Sequence, residues 1–456
     1  MKRYLILLVS MTLFGALSAP SFTHGEWKTP ARERSIRLLE EAEKEAVRWL
    51  QCQMVPNSTV PDPALDRRRL LLSYIIPPED PAYPYIYGRS FIYDDAVGVV
   101  AFTMAGKYRE AEYLLSAMRR VIRDDGSFWF VYNTHNSWPT EGDHEGSLVR
   151  TGAVAWAGYA AAFYLRARHS GDPSFLDEDP FAGNYLDMAR SIASYILRHQ
   201  IRDENDVRHG LVTGGDGTYT LHIPEASGEP VEEYDGSSLA WVSTEHNIDS
   251  YFFLMDLGLL TGNQEYSDAA CMIKEGLFRT WSEENGQFYR GIKKDGDIDK
   301  ALPLDCASWG ALFLISTGNE GMARRCLETV QRHFFSEYSG LTGYKPYYSG
   351  PLYDDEQVNS FYAKEIGSKS WEDANLVWGE GSFGVSAAYC KAGNPESSLQ
   401  VLEGLLPAQT NGGFRYSTAE LPYQFNSYPS VASTAWFIIA VETLLDAEKG
   451  SLFWGG

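Results

Sequence analysis

The stretch that decides the fold is IDSYFFLMDLGLLTGNQEYSDAACMIKEGLFR, residues 248 to 279. Its first half is apolar nearly all the way round, which predicts a helix buried on every side. Gly262 suits the left-handed position that ends a helix, and Asn263 suits the position that caps the next one. The second half is two-faced, which predicts an outer helix with one face in solvent. The stretch therefore predicts a helical hairpin.

The same hairpin pattern occurs five times along the chain. Its turns are Gly106-Lys107, Gly171-Asp172, Gly262-Asn263, Gly318-Asn319 and Gly393-Asn394. The predicted inner helices are residues 96–105, 151–165, 248–260, 307–317 and 382–390. The predicted outer helices are residues 108–122, 185–198, 266–279, 321–334 and 395–406. Repetition of one unit indicates that each hairpin packs on its neighbours.

Two further segments complete the pattern. Residues 431–445 have the composition of a sixth buried helix, and residues 34–50 have that of an amphipathic outer helix. Joined across the termini, they make a sixth hairpin. A helix buried on both sides cannot lie at an open edge, so the hairpins are expected to close into a ring. The predicted fold is all-α, an (α/α)6 barrel of six inner and six outer helices.

Residues 1–19 combine a basic start, an apolar run and small residues, which is typical of a secretory signal peptide. We therefore expect export to the periplasm or the extracellular space. The rest is expected to form a single barrel domain over residues 26–450. No later segment reaches about 18 uninterrupted apolar residues, so we expect no membrane insertion.

The chain is acidic, with a formal net charge of −22 that becomes −24 once Lys2 and Arg3 leave with the signal peptide. This charge argues against nucleic acid and anionic membranes as partners. The five cysteines lack the spacing of metal ligands, so buried free thiols are expected, with one disulfide as an open alternative. Neither a cofactor nor a catalytic metal is expected, because HExxH and paired-cysteine motifs do not occur. Oligomeric state stays open.

Carboxylates recur beside aromatic residues where the inner helices begin, at the end of the ring opposite the glycine turns. The catalytic candidates are Asp94, Asp95, Glu245, Asp305 and Glu380. Asp-Gly and Asn-Gly turns at residues 125–128, 285–288 and 411–414 predict short β-hairpins at this rim. An acidic mouth lined by Trp and Tyr suits a carbohydrate, whose apolar C–H faces stack on aromatic rings.

With these features the chain resembles the six-hairpin glycosidase superfamily. The resemblance rests on the hairpin count and on the loop residues YDDA (93–96), TEHNID (244–249) and WGEGS (378–382). It covers nearly all of residues 31–447 and selects no single family. It implies a glycoside hydrolase in which one carboxyl group protonates the leaving oxygen and another activates water, with inversion expected.

The leading catalytic candidate is Glu245. It has a structural alternative, because a carboxylate in the first turn of a helix capped by Thr244 would also favour the helix dipole. However, Asp249 follows about one helical turn later, so both carboxylates can face one cavity. This pairing favours a functional role for Glu245.

The other candidates also have structural alternatives. Asp94, Asp95 and Asp305 could each be no more than a helix cap. Glu380 is flanked by glycines, which leave its carboxylate unobstructed and let the backbone approach a ligand. The loop residues 141–145 could be a lid over the site, but a solvated charge run is the safer interpretation.

Substrate-binding residues are expected on the same loops and first turns. They are Arg89, Tyr93, His246, Asn247, Asp249, Tyr251, Trp309 and Trp378. A polysaccharide lyase or sugar epimerase would instead use His246 and Tyr251 to move a proton at carbon, although the acidic chain would repel a polyanion. A carbohydrate-binding protein without catalysis would use the same aromatic mouth.

Overall fold

The computed structural model describes residues 29–55, 66–80, 82–134, 148–168, 180–225 and 227–455. The helices are α1 (Pro30–Gln53), α2 (Tyr83–Ile86), α3 (Ile92–Met104), α4 (Tyr108–Val121), α5 (Thr151–Arg168), α6 (Pro180–His199), α7 (Thr244–Thr261), α8 (Gln264–Leu277), α9 (Asp305–Ser316), α10 (Glu320–Thr329), α11 (Glu356–Ile366), α12 (Gly379–Lys391), α13 (Pro395–Leu405), α14 (Val431–Leu445) and α15 (Ala447–Leu452).

Short antiparallel strands lie in the connections between the helices. They are β1 (Arg89–Phe91), β2 (Val131–Asn133), β3 (Val149–Arg150), β4 (Gly215–His222), β5 (Val231–Leu239), β6 (Val242–Ser243), β7 (Trp281–Ser282), β8 (Gln287–Phe288), β9 (Gly291–Ile292), β10 (Ile298–Asp299), β11 (Phe335–Tyr338), β12 (Leu341–Tyr344), β13 (Gln409–Thr410), β14 (Gly413–Arg415) and β15 (Pro429–Ser430). They pair in sheets of two or three strands, of which β4 with β5 is the longest hairpin.

The inner helices form a closed ring in chain order. From α3 the ring continues through α5, α7, α9, α12 and α14, and α14 packs back against α3. The outer helices α4, α6, α8, α10 and α13 each pack on the inner helix that precedes them. The sixth outer helix is α1, which packs on α14 across the termini. The predicted (α/α)6 barrel is confirmed.

Burial follows the two helix types that the sequence distinguishes. In α3 every residue from Asp94 to Met104 is buried, because the helix contacts two inner neighbours and an outer helix. In α4 the buried residues form one stripe, which comprises Ala111, Leu114, Leu115, Ala117, Met118 and Val121. Burial of this apolar surface is the main driving force for closing the ring.

The glycine turns behave largely as predicted. Left-handed φ angles of 69°, 67°, 75° and 77° occur at Gly106, Gly262, Gly318 and Gly393. The Asn263 and Asn394 side chains cap the following helices, whereas Lys107 and Asn319 make no side-chain cap. Gly171 lies outside the described residues. These four glycines mark what we term the turn end of the barrel.

Two of the three predicted rim hairpins form. β7 pairs with β8 around Gly286, and β13 pairs with β14 around Gly412. The β-hairpin predicted at residues 125–128 does not form, so that prediction was wrong. There Gly126 makes a tight turn, closed by a hydrogen bond from the Arg123 N–H to the Ser127 carbonyl. The chain then leads to β2, whose partner is β1.

The last residues close the centre of the barrel at the turn end. Phe453 and Trp454 are buried, and the Trp454 ring stacks on Phe252 with centroids 4.7 Å apart. The Trp454 N–H donates to the Tyr159 hydroxyl at 2.9 Å, and Lys391 donates to the Phe453 carbonyl. The barrel was predicted to end at residue 450. This C-terminal plug, Phe453 and Trp454, was missed because two aromatics after a helix show no periodicity.

The cysteines are free thiols, but they are not all buried as predicted. Cys306 and Cys326 are buried and Cys390 is half-buried. Cys52 and Cys271 are exposed, because they lie on the solvent faces of the outer helices α1 and α8.

Two other predictions concern parts that the structure does not describe. Residues 1–19 and 141–145 lie outside the described ranges, so the signal peptide and the interpretation of the loop stay predictions. The single-domain boundaries also stay predictions. Within the described ranges, no helix is long and apolar enough to cross a membrane.

Candidate active site

A cavity of about 1390 Å³ lies where the inner helices begin. It is larger than the roughly 300–1,000 Å³ of most small-molecule pockets. Each inner helix contributes a residue of its first turn to the lining. In ring order these are Asp94, Gly152, Glu245, Asp305, Glu380 and Ala432. This cavity end is opposite the turn end and gathers carboxyl groups from four helices.

Glu245 and Asp249 lie one turn apart on α7, and both line the cavity. Burial raises the pKa of Glu245 to about 7. Burial and the charges of Glu245 and Asp305 raise the pKa of Asp249 well above its ordinary value. The nearby Trp156 N–H opposes that shift, but neither Asp249 oxygen makes a regular hydrogen bond with a described residue. Both groups are thus available to a ligand.

Glu380 begins α12 and is held in place by a hydrogen-bonded chain. The Tyr93 hydroxyl donates to Glu380 Oε1 at 2.5 Å, and the Trp436 indole N–H donates to the Tyr93 hydroxyl at 2.8 Å. Burial raises the pKa of Glu380 to about 8, against the effect of the Tyr93 hydrogen bond. Near neutral pH this carboxyl group is therefore largely protonated, which is the state of a general acid.

Asp94 and Asp95 separate into different roles. Asp94 lines the cavity, and burial raises its pKa to about 7. Asp95 does not line it, because its carboxylate accepts hydrogen bonds from the Leu71 N–H at 2.8 Å and the Ser90 hydroxyl at 2.9 Å. Asp95 instead fixes the segment before α2. Neither aspartate caps α3, whose N-cap is Phe91.

Asp305 begins α9 and faces the cavity between α7 and α12. Burial, Glu245 and Glu380 raise its pKa well above the ordinary value. Its Oδ1 makes no hydrogen bond with a described residue. Asp305 is not a helix cap either, because Leu304 occupies that position.

Tryptophans form an aromatic wall below these carboxyl groups. Trp156, Trp309 and Trp378 line the cavity, and none of their indole N–H groups has a hydrogen-bond partner among the described residues. Trp156 and Trp309 also contact Trp454 of the C-terminal plug at centroid distances of 5.3 and 5.4 Å. The plug therefore supports the cavity floor from beneath.

Of the other predicted binding residues, some line the cavity and others are packed into its wall. His246 lines the cavity, as Tyr93 does. Asn247 is turned into the wall, where its amide donates to the carbonyls of Val212 and Ser243. Tyr251 packs edge-on against Phe313, with ring centroids 5.1 Å apart.

Arg89 lies on β1 and is not among the described residues that line the cavity. Of the residues suited to a lyase or epimerase, His246 lines the cavity, whereas Asn247 and Tyr251 do not. That set is therefore not assembled at the cavity.

Several lining residues escaped the sequence interpretation, and two of them, Arg150 and Tyr416, bear on the chemistry of the cavity. Arg150 reaches the cavity from β3, and Tyr416 reaches it after β14. Burial and the charges of Glu380 and Asp94 raise the pKa of Tyr416 well above its ordinary value. The connection after β14 also contributes residues 420–426. The signal available for Arg150 was its position directly before a buried helix.

Among the described residues, no group of three or more His, Cys, Asp or Glu side chains is placed to hold a metal ion.

Comparisons with known proteins identify the class of fold. A D-mannose isomerase structure is similar with a TM-score of 0.58 and 10% identity, over 90% of this chain and 98% of that chain. A glycosidase in complex with glucose gives 0.56 and 10%, over 92% and 98%. The unsaturated glucuronyl hydrolase of Bacillus sp. GL1 gives 0.54 and 11%, over 92% and 99%.

These similarities show the fold alone, an (α/α)6 barrel, which is the fold that the resemblance to the six-hairpin glycosidase superfamily implies. No protein-family sequence model matches the chain, and no curated protein matches it in sequence. At such low identities the fold is shown and the activity is not.

Proposed function

We propose that this protein is an exported glycoside hydrolase that cleaves an oligo- or polysaccharide by acid and base catalysis. The observation that carries the proposal is the group of carboxyl groups, three buried and one half-buried, that four inner helices bring around one aromatic cavity. They are Asp94, Glu245, Asp305 and Glu380. Burying such groups without partners is unfavourable, so their convergence in a cavity points to a functional site.

The two glutamates suit complementary roles. Glu380 has the higher pKa, about 8, and serves as the general acid that protonates the leaving oxygen. Glu245 has a pKa of about 7 and is the less buried of the two, so it serves as the base that activates water. They come from α12 and α7, separated in the ring by α9. A sugar between them would contact Asp305 and stack on a tryptophan.

The structurally similar proteins agree with a sugar ligand. They include a glycosidase bound to glucose, an unsaturated glucuronyl hydrolase and a family 76 glycoside hydrolase from Bacteroides thetaiotaomicron, the last with a TM-score of 0.54 and 11% identity over 90% of this chain and 78% of that chain. Cleavage of glycosidic bonds recurs on this fold, and the cavity here has the groups that such cleavage needs.

The test is hydrolysis of a panel of oligosaccharides by wild type, Glu245→Gln and Glu380→Gln. Each variant should lose about 10²-fold or more in kcat, because it lacks a proton donor or acceptor. Glu283→Gln is the matched control, since Glu283 lies on the exterior in an ion pair with Arg325. If both site variants kept wild-type rates on a substrate that the wild type cleaves, the assignment would fail.

Stereochemistry and export need separate measurements. We expect inversion, which proton NMR of the first-formed anomer would show. Retention would instead indicate a covalent intermediate on a carboxylate. Export predicts that the mature chain begins after residue 19, which N-terminal sequencing of the secreted protein would test.

A sugar isomerase is the second candidate, favoured by the His246 ring at the cavity and by the similarity to a D-mannose isomerase. Incubation with D-mannose and other free aldoses would show a ketose product if this candidate were correct. A hydrolase would leave free monosaccharides unchanged.

A further inference from the structure

One cation lies in this acidic cavity. Arg150 is the only Arg or Lys among the described residues that line it. The residue belongs to β3; Arg150 and Leu148, which directly precedes the strand, line the cavity, and Val149 between them is buried in the core. That alternation is the period of a strand, so the backbone itself directs Arg150 inward.

The Arg150 guanidinium is held in place without being neutralised. Its Nη1 donates to the Gly217 carbonyl at 2.5 Å, with longer contacts to the carbonyls of Asp216 and Val149 at 3.4 and 3.5 Å. Within the described ranges, Nε and Nη2 make no hydrogen bond, and no carboxylate pairs with the side chain. The free edge of the guanidinium is the part that binds a carboxylate in a bidentate manner.

His246 lies beside this cation. Burial and the charge of Arg150 lower the pKa of His246 to about 3, so the imidazole is neutral and keeps one N–H. The ring packs on Trp241 at a centroid distance of 5.7 Å, and it makes no hydrogen bond with a described residue. A Cβ at Gly152 would lie 2.5 Å from the imidazole Cδ2, so the glycine makes room for the ring.

The negative charge of the protein does not exclude an anion here. Asp249 is a carboxyl group close to His246, since its Oδ2 would lie 3.0 Å from the same Gly152 Cβ position. Burial and the charges of Glu245 and Asp305 raise its pKa well above the ordinary value, which favours its neutral form. The local potential is therefore set more by Arg150 than by the formal charge of the chain.

We propose that Arg150 and His246 form a subsite for the carboxylate of a uronic sugar, so that the preferred substrate is an acidic rather than a neutral glycan. The guanidinium would take the carboxylate on its free edge, and the imidazole N–H would donate to the same group. This proposal rests on the proposed function only in calling the bound glycan a substrate. The subsite itself would bind a free uronic acid without catalysis.

Binding of D-glucuronate and D-glucose to the protein, measured by calorimetry, tests the subsite directly. We expect wild type to bind glucuronate about 10- to 100-fold more tightly than glucose, the range for a charged hydrogen-bonded group. Arg150→Gln should abolish that difference, whereas Arg325→Gln, which changes a surface arginine, should retain it. Equal binding of the two sugars by wild type, or an unchanged preference in Arg150→Gln, would overturn the proposal.

Hydrolysis separates this proposal from the proposed function. On paired glucuronide and glucoside substrates, Arg150→Gln should lower kcat/KM for the glucuronide about 10- to 100-fold more than for the glucoside, mostly through KM. A purely structural role of Arg150 would lower both equally. Hydrolysis with no preference for the acid would refute the subsite alone. Selective glucuronate binding without hydrolysis would refute the hydrolase alone.

Discussion

Asp249 and Asp256 lie on the same helix, two turns apart, and their surroundings are opposite. Asp256 lies towards the turn end, is 1% exposed and forms an ion pair with Arg166. Asp249 lies at the cavity end, is 2% exposed and has no ion pair within the described ranges. The pKa of Asp256 rises only to about 6, whereas that of Asp249 rises well above its ordinary value.

The difference shows where stability and function lie in this barrel. At the turn end, packing and paired charges hold the ring closed around the C-terminal plug. At the cavity end, Asp249, Oδ1 of Asp305 and three indole N–H groups make no hydrogen bond with a described residue, which lowers stability but leaves them for a ligand. Sites with unsatisfied buried polar groups are commonly retained because activity needs them.

The largest stability effect is expected from Trp454→Ala, which removes the centre of the plug. The ring contacts Phe252, Trp156 and Trp309, so the variant should lose about 3–5 kcal/mol of unfolding free energy. Urea denaturation measures this loss. Trp378→Ala at the cavity should lose less, because one face of that ring meets the cavity. Equal losses would remove the distinction between the two ends.

The second effect tests the two aspartates against each other. Asp256→Asn should destabilise the fold by about 2 kcal/mol, because it leaves the half-buried Arg166 charge without its partner. Asp249→Asn should leave stability unchanged or raise it, since the amide replaces a buried carboxyl group that has no ion pair and whose pKa is raised by burial. Thermal unfolding of both variants gives the comparison, and a large loss in Asp249→Asn would contradict it.

Helical geometry explains how much of this site could be predicted. Glu245 and Asp249 are four residues apart and share a face, as predicted. Asp95 lies about 100° further round α3 than Asp94, and its carboxylate is held by Leu71 and Ser90 away from the cavity. The same geometry turns Asn247 away from the face of Glu245. Helix periodicity separates such residues, but only the packing of the helix decides which of them faces the cavity.

Other features could not be read from local pattern. Arg150 and Tyr416 reach the cavity from short strands whose orientation depends on pairing with distant segments. The C-terminal plug depends on the ring already being closed. Most of the hairpins were predictable because their two helices are neighbours in the sequence and the sixth follows from the repeat, whereas the cavity lining combines residues from all six inner helices.

A third prediction concerns pH. Burial raises the pKa of Glu380 from 4.5 to about 8, so the folded protein holds a proton that the unfolded chain releases above pH 4.5. Wild-type stability contributed by this group is complete below pH 4.5 and is lost as pH rises through 8. Glu380→Gln should be more stable by about 2 kcal/mol at pH 9, less than the full shift allows because the charged site relaxes.

Unfolding at several pH values checks this third prediction. The difference between Glu380→Gln and wild type should vanish near pH 4 and reach a plateau above pH 8. Glu283→Gln, at the exposed surface, should show no such rise. A difference that did not depend on pH would mean that Glu380 acts through packing and not through its charge.

The smallest effect is expected at the turn end. The Asn263 side chain accepts a hydrogen bond from the Glu265 N–H at 3.1 Å and caps α8. Asn263→Ala should cost about 1 kcal/mol of unfolding free energy, and Asn263→Asp should retain most of it, because aspartate caps equally well. Since the cap is at the opposite end from Glu245 and Glu380, kcat/KM should not change. A loss of activity without a loss of stability would show that the two ends are coupled, and it would break the division of roles argued from Asp249 and Asp256.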